Sequence, residues 1–144
     1  YRGVSISVDA AKTSIGIGED PNSSWVNEYG THWGPLSSFV GSFRPVSVRG
    51  GWNAIGLVEE IMKGNPSIVY VYNGASTPIG PFELPGGFTG YKGMHSEVVV
   101  GFTGRPDNPT SILTNDPWRG RRKYTLGSFY NIWGYLGNRA IIVF

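Results

Sequence analysis

A chain of 144 residues, 40% hydrophobic and 15% charged, reads as one globular domain over 1–144 that buries roughly two-thirds of its unfolded surface. The net charge is only +2, and the one basic cluster, Arg119, Arg121, Arg122 and Lys123, reads as a solvated hairpin turn, so nucleic acid is not an expected partner. No stretch approaches the ~20 apolar residues of a membrane span, and the absence of cysteine excludes disulfides and thiolate metal sites.

In chain order, Ser7 caps a short helix over Val8–Ser14 that Gly16 and Gly18 end. A long loop from Gly16 to Gly34 follows and holds Asp20-Pro21-Asn22, Trp25 and Trp33. Pro35 suits the first turn of a second helix with Leu36, Phe39 and Val40 on one face. Val46–Val48 is a short strand. The clearest helix runs over Asn53–Lys63, where Ile55, Val58 and Met62 form one stripe, Leu57 and Ile61 lie beside it, and Glu59 pairs with Lys63 outside. Ser67–Tyr72 is near-continuously apolar and so a central strand.

Residues 73–94 hold six glycines and three prolines without periodicity, which predicts a long binding loop. Next come a strand from His95 to Phe102, a turn through Arg105–Pro109, and a strand from Ser111 to Asn115. Lys123–Thr125 follows a tight turn at Gly120. Thr125 caps a last helix with Leu126, Phe129, Tyr130 and Trp133 at helical spacing, and Arg139–Phe144 closes as a strand. Helices first and antiparallel strands late make the class α+β, with no internal repeat.

Two residues carry the candidate chemistry. His95 starts one strand and Asp116 ends the next, and a hairpin brings those two ends together. An imidazole works best as a base when a carboxylate holds its second nitrogen. The alternative is that His95 bonds a loop and Asp116 caps the Asp-Pro turn. His32 reads as a surface loop histidine, and Trp25, Trp33 and Trp52 as part core and part groove wall. Two histidines and scattered acids give no metal-ligand spacing, so neither a metal nor a cofactor is expected. Ser96 lacks a nucleophile elbow, and as a strand neighbour of His95 it points to the opposite face.

Asp20-Pro21-Asn22, the helix 53–63, the strand Ser67–Tyr72, His95-Ser96-Glu97-Val98-Val99-Val100-Gly101-Phe102, Asn115-Asp116-Pro117, the helix 126–133 and the closing strand together resemble the papain-like cysteine peptidases of the bacteriocin-processing (double-glycine-leader) type. The closer likeness is to their secreted, stand-alone branch. The resemblance covers nearly the whole chain. It implies a papain-like fold, an antiparallel sheet with flanking helices, a peptide or protein substrate, His95 as general base and Asp116 as the orienting carboxylate.

The departure is at the front. The family's oxyanion-hole glutamine and the cysteine that opens its first helix precede the segment matched here by Tyr1–Ser14, and Tyr1–Ser5 resembles the exit from that helix. The nucleophile helix is therefore expected to be missing, leaving the chain inactive as given and able to associate with that segment along an apolar trough lined by Val69, Val71 and Val99. The start at Tyr1 predicts a processed or excised chain. The lack of cysteine, common in exported Gram-positive proteins, predicts a secreted or cell-surface bacterial setting. The alternative function is a non-catalytic domain that grips a peptide or protein on the same scaffold.

Overall fold

The computed structural model describes residues 6–74 and 79–144. Its elements are α1 (Val8–Ile15), α2 (Trp33–Gly41), β1 (Val46–Arg49), α3 (Ala54–Met62), β2 (Ser67–Tyr72), β3 (Pro81–Glu83), a single turn of tighter helix (Pro85–Gly87), β4 (Thr89–Tyr91), β5 (Met94–Arg105), β6 (Asn108–Asp116), β7 (Gly120–Thr125), α4 (Leu126–Gly134) and β8 (Ala140–Val143). The expectation that Tyr1–Ser5 leave a preceding helix lies outside the described residues.

The helix starts follow from capping chemistry. Ser7 Oγ accepts the Ala10 N–H, Asn53 Oδ1 accepts the Gly56 N–H, and Thr125 Oγ1 accepts the Ser128 N–H. Each satisfies a backbone donor that the first helical turn leaves open. The expected Glu59–Lys63 pair does not form. Lys63 Nζ instead reaches Glu60 Oε1 at 2.8 Å, because Glu60 is also fixed by the Asn65 side chain at 2.7 Å.

Six strands form one antiparallel sheet in the order β1-β8-β2-β5-β6-β7. β2 lies inside it, as its two apolar faces require. Val69 and Val71, with Val99 and Ile112, turn to the side where Leu57 and Val58 of α3 and Phe129 and Trp133 of α4 cover them. Tyr70 and Ile141 face the other way, against Trp33, Leu36, Tyr91, Met94 and Leu136. The architecture is therefore α+β with helices flanking an antiparallel sheet.

Three expectations are corrected here. Val69, Val71 and Val99 line no trough; they are sealed under two helices. The segment 73–94 is not structureless, since β3 and β4 pair as a separate two-stranded sheet. The basic cluster is not just a turn, since Arg121, Arg122 and Lys123 belong to β7, an outer strand whose charges oppose pairing with another chain.

The β5–β6 hairpin holds two compensating irregularities. Val98 and Val99 pair with Asn115 and Thr114, but Gly101 pairs with Leu113, so Val100 is an extra residue on β5. Further out, Thr103 pairs with Ser111 and Gly104 with Pro109, so Thr110 is an extra residue on β6. At that second offset Gly104 has φ +90°, and a Cβ there would stand 2.8 Å from the Thr110 nitrogen, so only glycine fits.

Candidate functional site

The β5–β6 register positions the expected pair. Val98 faces Asn115, and the same register continued by one residue sets Glu97 across from Asp116. His95 is then a diagonal neighbour of Asp116 on the same face, within reach of a long side chain. His95 Nε2 and Asp116 Oδ1 are 3.0 Å apart, with side chains 5% and 0% exposed.

Asp116 Oδ1 also accepts the backbone N–H groups of Trp118 at 2.8 Å and Arg119 at 3.2 Å, an Asx turn that closes β6. Burial opposes ionisation of Asp116, but the Trp118 N–H and His95 outweigh it and hold the carboxyl below its usual range. A carboxylate only accepts, so Nε2 carries the ring proton. The lone pair of the neutral ring is then on Nδ1, which bonds to nothing among the described residues. The indole of Trp118, 71% exposed, lies over the His95 ring with centroids 4.4 Å apart.

Sequence reasoning missed Glu97. It is buried two residues from His95 on the same face, where its Oε1 accepts the Tyr124 O–H at 2.8 Å and its Oε2 accepts the Thr114 hydroxyl. Burial, and then the Glu97 carboxylate, push the Tyr124 hydroxyl up to about 12. The signal was available: an acid at i+2 from the histidine, in a strand otherwise apolar on that face. The expectation of no metal-ligand grouping is also corrected, since ligand atoms of His95, Glu97 and Asp116 lie within 4.8 Å of one another.

The pair borders a cleft of ≈ 680 Å³ whose walls include Tyr29, Tyr70, Met94, His95, Ser96 and Trp118, with Val8 and Lys12 of α1 at its edge. That volume falls in the range of about 300–1,000 Å³ typical of ligand sites. Tyr70 is buried, and its hydroxyl has no hydrogen-bond partner among the described residues.

His32 is not a surface residue; it is 3% exposed. Asn22 Nδ2 donates to Asp20, which turns Asn22 Oδ1 toward His32 Nδ1 at 3.0 Å. Nδ1 therefore carries the proton, and Nε2 accepts the Tyr29 O–H at 2.9 Å. Burial holds the His32 pKa down, and its ring stacks on Trp33 at 5.1 Å. Tyr29 also accepts the Tyr91 N–H at 2.9 Å, and burial pushes its hydroxyl up to about 12. This second histidine is a pin for the cleft wall. Trp25 lines the cleft, Trp33 packs beneath it, and Trp52 packs on the opposite core, all three half-buried.

No helix among the described residues is long and apolar enough to cross a membrane. A crystal structure from Bacillus anthracis, described as a C39-like peptidase, is similar in fold with a TM-score of 0.77. The similarity covers 99% of this chain and 81% of that one, at 17% sequence identity. No curated protein matches. The family model described as Peptidase_C39 like family matches residues 3–141. A match of that extent, on a fold shared with a C39-like peptidase, means that this chain belongs to the Peptidase_C39 like family.

Proposed function

We propose that this chain carries the base and the orienting carboxylate of a papain-like cysteine peptidase acting on peptides or proteins. His95 is the general base and Asp116 its orienter. One observation carries the reading: Nε2 is engaged by Asp116 while Nδ1 is uncommitted, on a ring that borders a cleft. A thiol set against Nδ1 loses its proton there, and the thiolate attacks the substrate carbonyl. The imidazolium then returns that proton to the leaving amine, while Asp116 stabilises the charged ring.

The chain has no cysteine, so the thiol must come from a segment seated in the cleft. The cleft's apolar walls support this, as do the unpartnered Tyr70 hydroxyl and an α1 with no buried residue, its Val8 64% exposed. The cysteine-poor composition supports a secreted or cell-surface bacterial setting.

The test supplies the thiol. An apolar helical segment beginning with cysteine is fused before Tyr1, and hydrolysis of a fluorogenic peptide library is followed with and without iodoacetamide. Turnover should appear only in the thiol-bearing form and vanish on alkylation. Iodoacetamide-insensitive turnover by the 144 residues alone overturns the proposal. Tight capture of peptides by the thiol-bearing form without cleavage replaces it with a binding role.

A further inference from the structure

We propose that His95, Glu97 and Asp116 form a binding site for one divalent transition-metal ion, with Zn2+ as the reference ion. An imidazole nitrogen and two carboxylate oxygens, one from each residue, lie within 4.8 Å of one another, and all three residues are buried. Ligand atoms around a tetrahedral zinc stand about 3.3 Å apart, so the cluster closes on an ion with shifts of about 1.5 Å at most.

An independent observation points the same way. Asp116 Oδ2 is buried and has no partner among the described residues, although Oδ1 of the same carboxylate accepts three N–H groups. Those three donors pin the carboxylate, so Oδ2 cannot turn away to find a hydrogen bond. An orphaned anionic oxygen in a protein interior is costly, and a cation satisfies it.

The surroundings fit a ligand shell. Metal-binding carboxylates are themselves held by outer hydrogen bonds, and Thr114 and Tyr124 hold Glu97 in that way. One nitrogen and two oxygens suit Zn2+ and its neighbours rather than a soft ion such as Cu(I). The chain offers no thiolate, and both nitrogens of His32, the other histidine, are engaged by Asn22 and Tyr29. His95 is thus the nitrogen ligand this chain has to give.

The consequence rests on the peptidase reading. A metal on Nε2 displaces that nitrogen's proton to solvent, and the neutral ring then carries its proton on Nδ1. Nδ1 is the nitrogen that must accept the thiol's proton, so a bound ion inhibits hydrolysis instead of assisting it.

The 144-residue chain, stripped with EDTA, is titrated with Zn2+ by calorimetry and with Co2+ by visible absorption, and its histidine ring signals are followed by NMR. One equivalent should bind, shifting the His95 ring signals and leaving those of His32 in place. Glu97→Gln should weaken binding about 100-fold or more and Tyr124→Phe about tenfold, each checked for fold by circular dichroism. If neither variant folds, the His95 signals of the unaltered chain decide. No binding overturns the site, as does binding that leaves the His95 signals unmoved, which marks an adventitious surface ion only. Inhibition of the thiol-bearing form at the same Zn2+ concentrations is scored separately, so failure of the peptidase reading leaves the binding result standing.

Discussion

His95→Ala in the thiol-bearing form should lower kcat/KM for peptide hydrolysis by a factor on the order of 10⁴, the upper end of what a positioned base contributes. The ring supplies the only imidazole that borders the cleft with an uncommitted nitrogen, because His32 is bonded at both ends. Asp116→Asn should cost less, on the order of 10²-fold, the penalty of a base held slightly out of place. An asparagine oxygen can still accept from His95, Trp118 and Arg119. Its amide nitrogen must then occupy the place of Oδ2, where two donors meet no partner. The misplacement should show in kcat more than in KM. Equal losses for the two variants would mean that Asp116 does more than orient, and retention of activity by His95→Ala would remove the base assignment.

Trp133→Ala should destabilise the fold by about 3–5 kcal/mol, read as a lower urea midpoint. Trp133 is fully buried beneath the sheet, in contact with Phe129 at 5.1 Å and Tyr130 at 6.0 Å between ring centroids. Its indole N–H also donates to the Arg139 carbonyl at 2.8 Å, which ties α4 to the start of β8. That carbonyl keeps the Tyr70 N–H as a second donor, so the loss is mainly a cavity and not an orphaned acceptor. Trp118→Ala, at an exposed indole, should change stability by no more than about 0.5 kcal/mol. A midpoint that moves as far for Trp118 as for Trp133 would contradict this division.

Most of the fold was legible because local rules agreed with global packing. The apolar spacing of α3, the two-sided apolar run of β2 and the capped, periodic α4 each carry their own signal, and each forms close to where its pattern places it. Within α3, however, Leu57 and Val58 are buried, while Ile55 and Met62 of the expected stripe are exposed. The β3–β4 pair was not legible. Its strands are three residues each, too short for alternation, and glycine and proline around them read as loop. His32 failed for a different reason. Its burial depends on Asn22 and Tyr29, and a glycine-rich neighbourhood gives no hint that both nitrogens are satisfied.

In the site, strand ends were enough to bring His95 and Asp116 together, since hairpin geometry pairs them without further information. Glu97 needed more. Its partners stand 17 and 27 residues away, on β6 and β7, and only the folded sheet puts two hydroxyls around one carboxylate. The cleft was expected over the wrong residues. Val69 and Val71 looked like a lining because they are apolar, yet the residues between and around them, Tyr70 and Met94, are the ones that face it.

The paired offsets of β5 and β6 behave like slack in the hairpin. Loss of Val100 alone would remove a residue that has no partner in the ladder, so Val99 with Thr114 and Val98 with Asn115 would stay paired and Asp116 would keep its face toward His95. Loss of Thr110 alone would do the same on the other arm, leaving Thr103 with Ser111 and Gly104 with Pro109. Removing both leaves the far pairing, Val98 with Asn115, in its present phase. A change of length at either of these two unpaired positions is therefore absorbed where it occurs, and the hairpin can be trimmed by a residue on one strand while the distance from imidazole to carboxylate stays the same.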